Sequence, residues 1–597
     1  MKKAFALAGC FAFVAFAAKA ESELVGLWAY ETTLGGELGG ELELARNGDG
    51  WKATIAGEAG ECSGASEVIS CAFADSAGEF RGALAKSGKT IEGFWLRPAV
   101  KEDPRAGAPQ AFATPLILKR SGKSWSAKVV PLVDRFRLYL KIYNNEEGKL
   151  VGAFRDPESN ENGGASRFLV ARKGGELAFG LPDEAGVVAT RFKGRLEGDS
   201  IKVDWPVMGR EIPLKRTAPE QTSGFLPRMP GAPTSYRKPD DVGDGWTTAR
   251  ARDVGINEAA LERVIAKVAS SDPAARRPSL IHSILVARKG KLVFEEYFFG
   301  YDRETPHDTR SAGKTFASVM LGAAMMQGVD IGPDSKIYEL LKGRGPFANP
   351  DPRKAKITLA HLMTHTSGLA CNDNDDASPG QEDRMASQTD EPDFWKYTLD
   401  LPMAHEPGAR YAYCSANTNL VGGALTEATK TWLPEYFDRA VARKLGFGRY
   451  YWNLTPTGDG YLGGGSWLRS RDLLKVGQAY LDGGVWREQR IVREDWVADS
   501  TASRIAITPE TTGYSEAEFG EYYGGGEDAL AWHLGVLKAG DKRYKTYLAS
   551  GNGGQVLIVA PALDLVAVFT GGNYRQGGIW GRWGDEIIGA EIVATME

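Results

Sequence analysis

The stretch "TRSAGKTFASVMLGAAMMQG", Thr309 to Gly328, decides how this chain is read. From Ala312 to Gln327 it favours helix and is apolar on nearly every face, the mark of a buried helix. Gly328 supplies the stop. Ser311 and Lys314 stand three apart at its mouth, which puts both in the opening turn and on one side of it. A helix N-terminus offers unpaired N–H groups and partial positive charge. A serine there can attack a carbonyl while its own N–H supports the developing oxyanion. Burial and the helix dipole both disfavour an ammonium, so Lys314 is expected to act as a base or to lower a neighbour's pKa. The plainer alternative makes Ser311 a cap and lets Lys314 snorkel to water.

Spacing alone does not decide between them, because Ser-x-x-Lys recurs in "SYRK", Ser235 to Lys238. There Lys238 precedes Pro239, which pushes it out of the helical region. The surrounding segment, Ala218 to Gly245, holds five prolines and little hydrophobic periodicity. It reads as a linker.

Both sides of that linker have their own texture. From Leu24 to Thr217 short apolar and polar positions alternate between Gly, Asn and Asp turns, as in "RFRLYLKIYNNEEGKLVGAF", the signature of strands and hairpins. "FRGALAKSGKTIEGFW" and "FKGRLEGDSIKVDWP" look like copies of one strand–turn–strand unit, and each is followed by a strand ending in Lys-Arg. A duplicated meander that closes as a barrel or sandwich is expected, since closure removes exposed edges. After Gly255 an amphipathic helix capped by Asn257 precedes the hairpin "SILVARKGKLVFEEYF". Helical runs then dominate until strands return near Tyr544 and a last helix follows. That order predicts an α+β unit, an antiparallel sheet completed by both chain ends with helices packed on it.

The 597 residues, at ~100–200 per domain, predict about three units. The expected division is a signal peptide over 1–20, an all-β unit over 21–217, the linker over 218–245 and the α+β unit over 246–597. "MKKAFALAGCFAFVAFAAKAES" has two lysines, an apolar run and Ala-Lys-Ala before Glu21, so export to the periplasm or beyond is expected. The alternative is lipidation at Cys10, within "LAGC". No later segment reaches the ~18 unbroken apolar residues of a membrane span. A net charge of −5, with 25% charged residues, gives no basic excess for nucleic acid. After cleavage four cysteines remain, Cys62, Cys71, Cys371 and Cys414. An even number in an oxidising compartment suggests disulfides, with three connectivities open. The local pairing joins Cys62 to Cys71 and Cys371 to Cys414, and four buried free thiols are the alternative.

Two more pieces complete the pattern. "HLMTHTSGL" runs from His361 to Leu369, and "GARYAYCSANTNLVGG" places Tyr413 just before an apolar, helix-like stretch. Ser-x-x-Lys, then His-Leu-x-Thr-His-Thr-Ser-Gly-Leu, then Tyr-x-Ser, then a Gly-rich late strand resembles the serine β-lactamase and penicillin-binding-protein superfamily. The likeness is to its class C branch, with family VIII esterases and 6-aminohexanoate oligomer hydrolases, over Gly255 to Ile588. It implies a β-lactamase/transpeptidase-like fold and a hydrolase needing no cofactor. By that resemblance Ser311 is acylated, Lys314 activates it and Tyr413 relays a proton, an ammonium beside a phenol favouring phenolate. Ser415 falls at the usual substrate-binding asparagine. In "ASGNGGQ", Ala549-Ser550-Gly551 stands where β-lactamases carry Lys-Thr-Gly, so the lysine that holds a β-lactam carboxylate is missing. A backbone N–H near Asn552 and Gly553 is left as the second oxyanion donor. A Cys371–Cys414 disulfide, in the resembled fold, ties two loops together and fixes Tyr413. His361 and His365, one turn apart, begin a zinc site, but no Glu follows His361 and no third ligand is evident, so no metal is expected. Gly-x-Ser-x-Gly is absent from the chain. The expected function is hydrolysis of a small ester, amide or peptide through an acyl-enzyme. The rivals are a D-Ala-D-Ala peptidase or β-lactamase, and a non-catalytic ligand sensor.

Overall fold

The computed structural model describes residues 23–33, 38–64, 68–74, 77–99, 110–133, 135–158, 167–182, 188–205, 210–522 and 525–596. The expected leader and Cys10 lie outside them.

Alternation in the first third produces two closed β units where one was expected. Strand Gly26–Thr33 joins the seven strands between Arg135 and Thr217 in an eight-stranded barrel. Closure runs through Gly26–Thr33, which pairs with Arg135–Asn144 on one side and Arg210–Thr217 on the other. Strands from Gly40 to Val129 form a second meander. Its last strand, Ser124–Val129, pairs with both Gly40–Asn47 and Ala111–Ser121, so this ring closes too. The two similar sequence units fill corresponding places, Glu79–Leu84 with Thr90–Arg97 in one ring and Val188–Glu197 with Ser200–Trp205 in the other. Aromatic side chains fill the first barrel: Phe154 packs against Phe168, Phe179, Phe192 and Trp205. Its centre is a packed core.

In the last two thirds, strands from both chain ends meet in one sheet, Ile281–Arg288 lying antiparallel between Lys291–Tyr297 and Leu565–Gly571. Gln555–Ala560, Lys542–Gly551 and His533–Ala539 continue it antiparallel. Helix Glu258–Ala269 and the closing turn Gly584–Ile592 bury one face against Ile284, Ile558 and Phe569. The other face, with Leu557, Val559 and Val568, takes helices Phe316–Met326, Ser415–Thr429 and Ser470–Leu481. Gly477 lets the last of these lie close, since a Cβ there meets Leu557 and Val566 at 2.6 Å.

Ala218–Gly245 carries one short 3-10 turn and is packed in place. Tyr236, 7% exposed, donates its hydroxyl to the Val293 carbonyl (2.9 Å). The second ring also docks by strand addition, Trp452–Leu454 extending it beyond Ala111–Ala113.

Candidate active site

Arg310–Thr315 forms a tight 3-10 turn that runs into helix Phe316–Met326, so the predicted single helix starts one turn late. Asp308 shapes the entry: its carboxylate accepts from the Arg310 N–H (2.8 Å) and pairs with the guanidinium (2.8 Å). Arg310 is held at φ 47°, a left-handed conformation that costs a non-glycine on the order of 1–3 kcal/mol and clusters at functional sites. "GGGSW" supports it from the side. Gly465 N–H and Thr309 N–H bridge the two segments, to the Arg310 and Ser466 carbonyls. At Gly464 a Cβ meets the Arg310 carbonyl at 2.7 Å, so only glycine fits.

The Lys314 ammonium donates to Ser311 Oγ (2.9 Å) and to the Gly463 carbonyl. Tyr413 lies beside both: Lys314 Nζ is 5.2 Å from its ring centroid, and Ser311 and Lys314 both bear on the titration of its hydroxyl. The three residues expected from separate motifs therefore meet. Their proton states differ from expectation. Burial pulls Lys314 down, but the Tyr413 oxygen, Glu382 and Asp373 pull it up and prevail, so Lys314 lies above its usual value. Burial also pushes Tyr413 up, and the Lys314 charge and the Ser311 bond do not overcome it. The resting pair is an ammonium beside a neutral phenol: burial does not strip Lys314 of its proton, and its charge does not draw Tyr413 toward phenolate, the two effects expected.

Asp373 lies behind this pair. Its carboxylate accepts from Ser415 N–H and Ser415 Oγ, both at 2.7 Å, and its own N–H donates to the Tyr413 carbonyl (2.8 Å). Burial, then Glu382, push it up to about 7. Ser415 is fully buried and given to this carboxylate; the structure does not bring it to the cleft as a substrate contact.

Tyr413 is held from two more sides. His365 lies 4.5 Å from its ring, and His365 Nδ1 accepts the Cys414 N–H (3.2 Å). Burial above all pushes His365 down to about 3, so its ring is neutral. His361 Nδ1 accepts the Thr358 N–H (3.2 Å). Both rings of the possible zinc pair thus serve the backbone. Cys371–Cys414 and Cys62–Cys71 are disulfide-bonded, the local pairing.

Gly551 brings the late strand against the Arg310–Thr315 turn, where a Cβ meets the Thr309 carbonyl at 2.5 Å and the Ala312 nitrogen at 3.0 Å. Asn552 Oδ1 accepts the Arg575 N–H (2.7 Å), and the Gly553 carbonyl accepts the Asn573 N–H (3.0 Å). These bonds pin the turn just beyond Ser550, and it is Ser550 that lines the cavity beside Ser311.

Sequence reasoning missed the other wall of that cavity. Asp528 and His533 pair directly across a hairpin, with His533 Nδ1 2.6 Å from Asp528 Oδ1. The Tyr411 hydroxyl donates to Asp528 Oδ2 (2.9 Å). The available signal was "DALAWH", an acid and one of only six histidines five apart around a turn.

The β-lactamase family profile matches residues 266–574, just over half of the chain. The chain belongs to the β-lactamase family, and is an enzyme of the serine-hydrolase type. Among individual relatives, monacolin J acid methylbutanoyltransferase of Aspergillus terreus is 31% identical over 156 residues, 24% of this chain and 37% of that protein. Acyltransferase mokF of Monascus pilosus matches at 31% over 155 residues, again 24% and 37%. The matched part thus spans little more than a third of these relatives' length. Among solved structures, a penicillin-binding-protein homologue from Caulobacter crescentus is 13% identical, with TM-score 0.41 over 53% of this chain and 91% of that one. A family VIII carboxylesterase is 16% identical, with TM-score 0.39 over 50% and 87%.

Proposed function

We propose that this protein is an exported serine hydrolase that cleaves a carboxylic ester or small amide through an acyl-enzyme on Ser311. The observation that carries the reading is the meeting of three side chains: Lys314 Nζ donates to Ser311 Oγ at 2.9 Å and lies 5.2 Å from the Tyr413 ring centroid. In acylation Ser311 Oγ adds to the substrate carbonyl while its proton passes to the Tyr413 oxygen. Tyr413 gives its own proton to the departing alkoxide or amine. Lys314 remains an ammonium and steadies the negative charge on this relay. The Ser311 N–H serves as one oxyanion donor, and the second is drawn from the late strand where Ser550 lines the cavity.

Two features favour an uncharged ester or amide over a β-lactam. Ala549 stands at the carboxylate-binding lysine, and Ser415 is turned to Asp373. Both relatives named as acyltransferases favour a second outcome, transfer of the acyl group to an alcohol. The test is steady turnover of p-nitrophenyl butyrate, with and without added alcohol, and with labelled penicillin as competitor. Turnover abolished by Ser311→Ala supports the reading. Turnover that survives the substitution contradicts it, and a wild-type chain that binds esters without turnover is a ligand sensor.

A further inference from the structure

Acylation leaves a second problem: water must attack the acyl group on Ser311, and something must take its proton. In acylation the neutral Tyr413 phenol only relays, passing on its own proton as it takes another; as a stand-alone base toward water, a neutral phenol and an ammonium are both poor. The cavity beside Ser311 is also lined by His533 and Asp528. Its volume is about 10 Å³, close to what a single water needs. Asp528, 2% exposed, takes His533 Nδ1 at 2.6 Å and is itself held by the Tyr411 hydroxyl at 2.9 Å. That bond makes Nδ1 the protonated nitrogen and leaves Nε2 as the ring's acceptor. Among the described residues Nε2 has no hydrogen-bond partner.

We propose that His533, oriented by Asp528, is the general base that activates water to deacylate Ser311. The inference rests on the acyl-enzyme reading above and adds a second proton unit to it. His533 Nε2 accepts a proton from water as the water oxygen bonds to the acyl carbon. As the tetrahedral adduct collapses, the bond from that carbon to Ser311 Oγ breaks, and the same proton passes from His533 to Oγ. The products are the free carboxylic acid and the resting serine, with every proton accounted for on the enzyme. Tyr413 and Lys314 run acylation from one side, and His533 runs hydrolysis from the other.

The charged and titratable groups around His533 set its pH behaviour. Burial pulls the imidazole down and Asp528 pulls it up; Asp528 prevails over burial and over the Lys314 ammonium across the cavity. His365, from the loop after Leu359–Met363, is neutral. His533 therefore loses its proton above the usual imidazole value of 6.5, and the base form grows as pH rises through that limb.

The experiment is rapid mixing of p-nitrophenyl butyrate with wild type, His533→Gln and Asp528→Asn, with mass mapping of the Ser311 peptide. Asp528→Asn keeps the shape and the Tyr411 bond, so it tests the dyad without deleting the ring. The proposal predicts that both variants keep the p-nitrophenol burst and the butyryl mass on Ser311. Their kcat falls about 100-fold with kcat/KM little changed, and the pH limb above 6.5 disappears in His533→Gln. Burst and steady rate falling together in folded variants would overturn it. A wild-type chain that never carries butyryl on Ser311 overturns the acyl-enzyme reading, and this inference with it, a result distinct from a normal burst with an unchanged slow phase, which sinks His533 alone.

Discussion

At Lys314 burial works against the ammonium while Tyr413, Glu382 and Asp373 hold it charged, so in the proposed mechanism it serves as a fixed cation more than a free base. Lys314→Met then removes the charge that steadies the relay, and ester turnover falls by about 10²–10⁴-fold, read as kcat/KM at constant fold. Tyr413→Phe, which keeps the ring on His365 and deletes only the hydroxyl, falls in the same range. Asp373 makes a separate prediction. Its folded value of about 7 lies above the 3.8 of an ordinary aspartate, so between those two values the folded chain binds the extra proton and stability declines as pH rises. Asp373→Asn flattens the melting temperature between pH 4 and pH 7, and a slope equal to wild type contradicts the assignment. That Ser311, Lys314 and Tyr413 come together was legible because each sits in a contiguous motif. The charge of Lys314 was not, because it also depends on two carboxylates further downstream, Asp373 in a loop and Glu382 at the start of a six-residue helix, outside any of the motifs.

Elements explain how those residues are brought to one point. The turn at Arg310 and the strand at Gly551 touch through backbone, with no room for a methyl group between them. Gly551→Ala shifts one against the other, and a misplacement near 1 Å costs about 100-fold in turnover; unchanged kinetics would show that this contact does not set the geometry. The Cys371–Cys414 bond, 43 residues apart, closes the loop that carries Asp373 and holds Tyr413's neighbour. Chain entropy assigns it about 4 kcal/mol, so the double alanine variant unfolds at lower denaturant by that amount, measured against wild type under oxidising conditions. The buried helix and the sheet built from both chain ends followed from composition and period. The Asp528–His533 hairpin did not, because its strand Glu527–Asp528 is two residues long, too short to show alternation.

On the scale of the molecule, the first third forms two closed rings where the sequence pattern implied one duplicated unit. The repeat was visible in the strand–turn–strand copies, but which copy closes on which depends on long-range pairing that local pattern does not carry. Both rings are fastened to the hydrolase. Arg155, 2% exposed, reaches from the first barrel to the Phe225 carbonyl (3.2 Å) and lies 3.9 Å from the Phe299 ring centroid. Thr114 of the second ring donates to the Tyr450 carbonyl (2.7 Å). Buried polar joints of this kind couple the parts, so calorimetry of the whole chain is expected to show one main transition. Arg155→Ala strips the joint of its cation and splits that transition in two. A single unsplit peak in the variant would mean that the barrel is coupled elsewhere.

The most direct test of the central claim is mass mapping of the chain after a fluorophosphonate probe, with Tyr413→Phe run beside wild type. The account predicts one adduct, on Ser311, forming fast in wild type and at least tenfold more slowly in the variant. An adduct on any other serine, or equal rates in both proteins, contradicts it.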